Sequence, residues 1–167
     1  NSIDSKATVI KIVCCDYGIE WIEVSDDGQG IDYESLFKLC SFGGTSKIRE
    51  YEDIGELSSF GFRGEGLAAI RHTSNLEVTT RMQHEPSGYK ALYSPLNDIP
   101  EVNQVSATAG TSIKVKLPFS HLPAKRQELV SNARTQFRVL VEYVQTYALI
   151  LTGIKFEFFH VCDGSPK

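Results

Sequence analysis

Apolar positions along this chain change period several times, and each change marks an element. Residues 8–15 and 19–24 are two short runs rich in β-branched residues, with Asp16, Tyr17 and Gly18 between them. Such runs joined by a short segment containing glycine read as a β-hairpin. Asp26-Asp27-Gly28-Gln29-Gly30 interrupts the pattern, and Asp32 then stands where it can cap a helix carrying Leu36, Phe37 and Cys40 on one face. Residues 41–60 are polar and glycine-containing with little periodicity. A connection of that length is usually a functional lid or else disordered. Leu67, Ala68 and Ile70 mark a helix starting from a glycine-rich stretch, and further strands are expected near 76–81, 89–93 and 111–117. Pro95, Pro100 and Gly110 lie in the segments that separate those strands. The clearest helix is late: Phe137, Leu140, Val141, Val144, Ala148 and Leu151 follow three-and-four spacing, with Gly153 as a stop and a strand over 154–161. Strands and helices mix without strict alternation, which favours an α+β fold, a two-layer α/β sandwich with helices on one face of a mixed sheet.

Composition narrows the function more than the fold. The 167 residues suit one domain with a proper core, and 41% hydrophobic with 23% charged residues is ordinary for a globular chain. The net charge of -4 gives no domain-wide footprint for nucleic acid, so any DNA role would use a local patch or other parts of a longer protein. Four cysteines show no paired metal-ligand spacing, and Cys14 and Cys15 lie in an apolar run as small core residues do. That usage suggests a reducing, intracellular compartment. No apolar run reaches membrane-spanning length, so no membrane partner is expected. Asn1 in place of a methionine suggests a chain opened inside an element, and residues 163–167 read as a turn or linker. The chain is therefore expected to be a fragment.

Three motifs carry candidate chemistry. Asp26-x-Gly28-x-Gly30 places a carboxylate and flexible glycines at a strand end, where it could accept from an exocyclic amino group. A plain Asp-Gly turn gives the same string. Gly61-Phe62-Arg63-Gly64-Glu65-Gly66-Leu67 sets glycines before a helix, where free N–H groups bind phosphate; tight helix packing explains it equally. It is not a Walker loop, which ends in Gly-Lys-Ser/Thr. Thr45-Ser46-Lys47 offers two hydroxyls and an ammonium, suited to phosphate or to solvated surface.

Taken in order, Asn1-Ser2-Ile3-Asp4, Asp26-Asp27-Gly28-Gln29-Gly30-Ile31, Thr45-Ser46-Lys47, the Gly61–Leu67 string and Gly110-Thr111-Ser112-Ile113-x-Val115 resemble the MutL branch of the GHKL ATPases. That superfamily also holds type II topoisomerases, heat-shock chaperones and histidine kinases. Gly-Phe-Arg-Gly-Glu is specific to MutL proteins, whereas Asp-x-Gly-x-Gly is shared by the superfamily. Leu122-Pro123-Ala124-Lys125-Arg126 also resembles a MutL segment, and residues 16–18 with 22–26 look most like the eukaryotic post-meiotic-segregation subfamily.

The resemblance implies a fold of the Bergerat type and a set of roles. Residues 1–162 would form the ATP-binding domain, cut inside its first motif helix, with 163–167 opening a linker. Asn1 would coordinate magnesium, a cation that prefers oxygen ligands. Asp26 would read the adenine amino group with Thr111 in support, and Gly28 and Gly30 would make room for the ring. Thr45, Ser46 and Lys47 would hold one end of a lid over ATP. Gly61, Phe62, Arg63, Gly64, Glu65, Gly66 and Leu67 would form the phosphate loop. The family's general-base glutamate falls four residues before the asparagine, upstream of Asn1, and its γ-phosphate lysine comes from a following domain. Residues 1–167 alone are thus expected to bind ATP and Mg2+ but hydrolyse poorly. Further implications are a nuclear location, a second MutL homologue as heterodimer partner, MutS-type mismatch-recognition proteins, and DNA contacted through the parent protein. The competing expectation is a docking or dimerisation module that binds no nucleotide. Gly66 stands where the family usually has alanine, Asp27 where it has asparagine, and His121 where many members have asparagine. Arg63 with Glu65 reads as an ion pair, and Lys114, Lys116, Lys125 and Arg126 as a basic cluster on a solvated face.

Overall fold

In the computed structural model of the chain, residues 1–40 and 66–162 are described. The first two strands, β1 (Val9–Cys15) and β2 (Trp21–Asp26), pair antiparallel with Ile12 opposite Val24 and Cys15 opposite Trp21. Their connection is a tight one: Asp16 and Tyr17 take φ of 46° and 56°, and Gly18 follows at 86°. The hairpin expected from the two β-branched runs is therefore present. Asp32 caps the single turn α1 (Tyr33–Leu36), accepting from the Ser35 N–H at 2.9 Å.

After α2 (Gly66–Thr73) come β3 (Asn75–Arg81), β4 (Gly88–Tyr93), β5 (Glu101–Val105) and β6 (Gly110–Lys116), then α3 (Pro123–Ile150) and β7 (Lys155–Val161). The described strands form one sheet in the order β5-β4-β3-β6-β2-β1-β7. Every neighbouring pair is antiparallel except β1 and β7, which run parallel, so the sheet is mixed as expected.

Residue parity explains why the described helices lie on one face. On β1, β2 and β7 the inward set includes Ile10, Ile12, Cys14, Val24, Phe156 and Phe158, which pack against Phe137, Leu140 and Val144 of α3. On β3 and β4 the same face presents Leu76, Val78, Ala91 and Tyr93 to Leu36 of α1 and to Leu67 and Ile70 of α2. Each fully buried side chain of this size contributes about 1.5–3 kcal/mol. Cys14 and Cys40 belong to these clusters, and burial pushes both thiols up to about 11. They are small core residues without nucleophilic character at neutral pH.

Four features differ from the expectations. The helix capped by Asp32 is a single turn ending at Leu36, short of Phe37 and Cys40, and Phe37 is exposed instead of sharing a buried face with Leu36 and Cys40. The late helix starts at Pro123, well before Phe137, and the whole of it fully buries only Ala133. Its first turns are polar on nearly all sides, which erased the apolar stripe. Proline at the first helical turn is the start signal that remained. Edge strand β5 was not expected, because its exposed, mostly polar residues lack a buried alternation. Finally, Gly153 is not a left-handed cap: the helix closes through the Leu151 N–H to the Tyr147 carbonyl at 2.9 Å, and left-handed glycines among the described residues are Gly18, Gly30 and Gly110.

Candidate functional site

Strands β2, β6 and β3 lie side by side, and their registers bring Asp26, Thr111 and Thr80 into one row at the sheet's end. The row is on the helix-covered face, at the seam between the two apolar clusters, because Asp26 shares parity with Val24 and Thr80 with Val78. Asp26 is held from two sides. Its Oδ2 accepts from the Ser2 hydroxyl at 2.6 Å and its Oδ1 from the Gly28 N–H at 3.0 Å. A carboxylate has about four acceptor positions, so both oxygens retain capacity for an outside donor. No lysine or arginine among the described residues forms an ion pair with Asp26.

The glycines beside Asp26 serve the chain's own packing. A Cβ at Gly28 would stand 2.1 Å from Ser5 Oγ, and one at Gly30, whose φ is +80°, would stand 2.5 Å from the Arg81 carbonyl oxygen. Gly110, with φ of +114°, is pressed so closely on β2 that a Cβ would lie 2.0 Å from the Asp26 carbonyl oxygen. These positions demand glycine because loop and strand backbones converge there. The expectation that Gly28 and Gly30 make room for a ring gains a different physical basis: they let the Asp26 loop sit down between the amino-terminal turn and β3.

Asp27 does not add an uncommitted charge next to Asp26. Its carboxylate turns to the start of β1, accepting from the Thr8 N–H at 2.7 Å, the Thr8 hydroxyl at 2.5 Å and the Val9 N–H at 2.8 Å. The Thr8 hydroxyl, foremost among these donors, holds its carboxyl below the usual aspartate value.

Of the other expected site residues, Asn1 is exposed and begins a turn whose Ser5 N–H bonds its carbonyl at 2.9 Å. With Ser2, Ile3, Ile10, Tyr147 and Phe156 it lines a cavity of about 210 Å³. Asn1 therefore neighbours Ser2, the residue that anchors Asp26. Gly66 opens α2 with no described residue near its missing Cβ, and Leu67 packs on the β3–β4 cluster. Thr45, Ser46, Lys47, Gly61, Phe62, Arg63, Gly64 and Glu65, with the expected lid and the Arg63–Glu65 pair, lie outside the described residues. A larger cavity, about 410 Å³, lies against Asn75, Leu76 and Tyr93 at the opposite end of β3, away from the Asp26 row.

The basic cluster is distributed among partners. Lys114 pairs with Glu23 at 3.4 Å and lies 3.5 Å over the Trp21 ring, Lys116 pairs with Glu77, and Lys125 with Glu128 at 2.9 Å. Arg126 bonds the Ile19 and Pro118 carbonyls and Glu20, pinning the start of α3 to the β1–β2 side. These contacts suit a structural, solvated face.

Sequence reasoning missed two residues at the site. Ser2 anchors Asp26, and Thr80, only 1% exposed, bonds three partners around it. A serine near the chain start and a threonine in a strand carry no local signal; only the register reveals them.

With this geometry in place, similarity to known proteins is decisive. Residues 1–125 match the family described as histidine kinase-, DNA gyrase B- and HSP90-like ATPase. The chain belongs to that family. It is 36% identical over 171 residues to DNA mismatch repair protein pms1 of Schizosaccharomyces pombe, covering 100% of this chain and 21% of that protein. It is 32% identical over 155 residues to human mismatch repair endonuclease PMS2, covering 93% of this chain and 18% of that protein. Its homologues are thus mismatch repair proteins of the PMS and MutL kind, and the chain spans about a fifth of their length. A crystal structure of the N-terminal domain of a DNA repair protein matches with a TM-score of 0.84 at 31% identity, over 99% of this chain and 47% of that one. The Aquifex aeolicus MutL ATPase domain complexed with ADP matches with a TM-score of 0.72 at 23% identity, over 99% of this chain and 60% of that one, which supports the shared fold. The α+β sandwich of the GHKL type is therefore the fold of this ATPase-family chain.

Proposed function

We propose that the chain is the ATP-binding domain of a MutL-type mismatch repair protein and that Asp26 reads the adenine amino group. The observation that carries this reading is the Asp26 carboxylate itself: half-buried, hydrogen-bonded by Ser2 and Gly28, and unpaired by any cation among the described residues. Such a group has acceptor capacity and a strong preference for an outside N–H donor. Thr111, its cross-strand neighbour, adds a second polar atom on the same face. Gly28 and Gly30 shape the loop, and Thr45, Ser46, Lys47 and Gly61 through Leu67 are proposed for the phosphates by resemblance. The ADP bound to the Aquifex MutL domain, a structure of the same fold, agrees with this reading.

Magnesium fits the donor set. No cluster of three or more His, Cys, Asp or Glu side chains able to hold a metal exists among the described residues. A cation held by one amide oxygen plus phosphates and water needs no such cluster. Asn1 would supply that oxygen, and the cation would neutralise phosphate charge. By resemblance, turnover would draw on a glutamate four residues before Asn1 and on a lysine of a following domain. In the parent protein, ATP would close the lid and bring two amino-terminal domains together, with a second MutL homologue as partner, in the nucleus, downstream of MutS-type recognition of DNA mismatches.

Titrating the folded chain with a non-hydrolysable ATP analogue, with and without magnesium, tests this. Saturable binding that weakens without magnesium is expected. A chain that circular dichroism shows to be folded, yet that releases no heat with the analogue, would favour the docking-module reading instead.

A further inference from the structure

Thr80 is buried under the site and touches three polar partners. The Ile31 N–H donates to its hydroxyl at 2.8 Å, the Gly110 carbonyl oxygen lies 3.0 Å away, and the Thr111 hydroxyl 3.1 Å away. A threonine hydroxyl has one proton and two acceptor positions. A carbonyl cannot donate, so the Thr80 proton goes to Gly110. An N–H cannot accept, so Ile31 occupies one acceptor position of the Thr80 oxygen. The contact with Thr111 then uses the second acceptor position, and the proton in it belongs to Thr111.

We infer that Thr80 is a positioning residue that fixes the Thr111 hydroxyl with its proton turned inward, so that Thr111 meets a ligand only as an acceptor. Thr111, a half-buried residue, stands next in the row to Asp26, whose carboxylate likewise only accepts. Two adjacent acceptors suit a ligand edge that presents two protons, as an exocyclic amino group does. They disfavour a carbonyl oxygen in the same place, which would leave lone pairs facing lone pairs. This rests on the nucleotide-binding reading above and adds to it the residue that sets selectivity for the base. The Ile31 and Gly110 bonds matter as much as the Thr111 bond, because they exhaust the alternatives open to the Thr80 hydroxyl.

The test is calorimetric titration of the folded chain, with magnesium, using non-hydrolysable analogues of adenosine and inosine triphosphate. These differ by an amino group against a carbonyl at one ring position. The wild-type chain is expected to prefer the adenosine analogue by about tenfold or more, and Thr80→Val to shrink that ratio about fivefold, the worth of one neutral hydrogen bond. The freed Thr111 hydroxyl can then rotate and donate to the inosine carbonyl. Thr80→Ser, which keeps the hydroxyl, should restore the wild-type ratio. Thr80→Ala leaves room for a water at Ile31 and Gly110 and gives the same readout if circular dichroism shows the valine variant unfolded. A folded valine or alanine variant that weakens both analogues equally, with the ratio unchanged, overturns the inference: Thr80 would then only hold strands together. Failure of the folded wild-type chain to bind either analogue overturns the nucleotide reading instead, so the two failures are distinct.

Discussion

Strands β2, β6 and β3 build two rows of side chains, one on each face of the sheet, and the rows are chemically opposite. On the open face, Glu23, Lys114 and Glu77 stand in register. Lys114 answers Glu23 at 3.4 Å, and Glu77 accepts from both Lys90, at 3.1 Å, and Lys116. On the covered face, Asp26, Thr111 and Thr80 hold a single carboxylate among hydroxyls and backbone groups. Alternating charges neutralise one another, so the outer row serves the sheet. The inner row leaves its charge without a cation partner among the described residues, at a half-buried position for which a ligand donor is the proposed complement. The same strands thus carry by parity a stabilising row on one face and the row proposed for recognition on the other.

The largest way to break the inner row is through its backbone. Gly110 adopts φ of +114°, and an added Cβ would meet the Asp26 carbonyl oxygen at 2.0 Å. Gly110→Ala must therefore part β6 from β2 where Asp26 and Thr111 sit. Strain of this kind, plus the lost pairing, is expected to destabilise the chain by about 3 kcal/mol or more. Thermal melts followed by circular dichroism should show it; an unchanged melting temperature would mean that the two backbones are not pressed together there.

Asp26→Asn sharpens the contrast by removing charge with little change of shape. Binding of the ATP analogue should weaken by about 10- to 150-fold, the range for a hydrogen bond to a charged group at about 1.5–3 kcal/mol. Stability should change far less, since the Gly28 N–H can still donate to the amide oxygen while the Ser2 hydroxyl turns to accept from the amide nitrogen. Loss of stability with affinity retained would make Asp26 a structural residue and return the motif to a plain turn.

How much of this could be read beforehand follows from the same parity. The hairpin, the Asp32 cap and the apolar stripe of Phe137, Leu140 and Val144 were legible because each lies within a few residues and touches a core. Strand β5 and the first turns of α3 were not, because polar residues exposed on most sides leave no period. Asp26 was legible from its glycines, although the contacts that require those glycines in the fold are with Ser5 and Arg81. Thr80 was invisible: its role depends on three partners 30, 31 and 49 positions away in the chain. Local patterns convey the faces of elements, whereas the site is made by register between distant strands.

The outer row offers the next test, through pH. Burial alone would raise the Glu77 carboxyl, but hydrogen bonds and attraction from Lys116 and Lys90 outweigh it and hold the group below its usual value. A carboxyl with a depressed folded value stabilises above its unfolded value, and that contribution disappears as pH falls through the folded value. Glu77→Gln should therefore lower stability by about 0.5–1 kcal/mol at neutral pH, consistent with partly exposed pairs. The difference should begin to shrink as pH falls below about 4.3, the value of an unpaired glutamate, and vanish below the depressed folded value. Denaturant melts at neutral and acid pH would measure both, and ATP-analogue affinity at neutral pH should not move. A change in that affinity would show that the two rows are coupled across the sheet.

The smallest effect is expected at Gly66, which belongs to neither row. It begins α2, its backbone is not left-handed, and no described residue occupies the space its Cβ would fill. Nothing in the packing of the described residues thus requires glycine, and alanine would restrict the unfolded chain without strain from them. Gly66→Ala should raise stability by about 0.4–1 kcal/mol, or a melting temperature shift of about 1–4 °C for a domain of this size. The same variant examines the phosphate role proposed for the start of this helix. An N–H donor is present in either residue, so affinity for the ATP analogue should hold if the backbone alone contacts phosphate. A stabilised variant with sharply weaker binding would mean that a ligand occupies the open space beside Gly66, and that glycine is there for its approach.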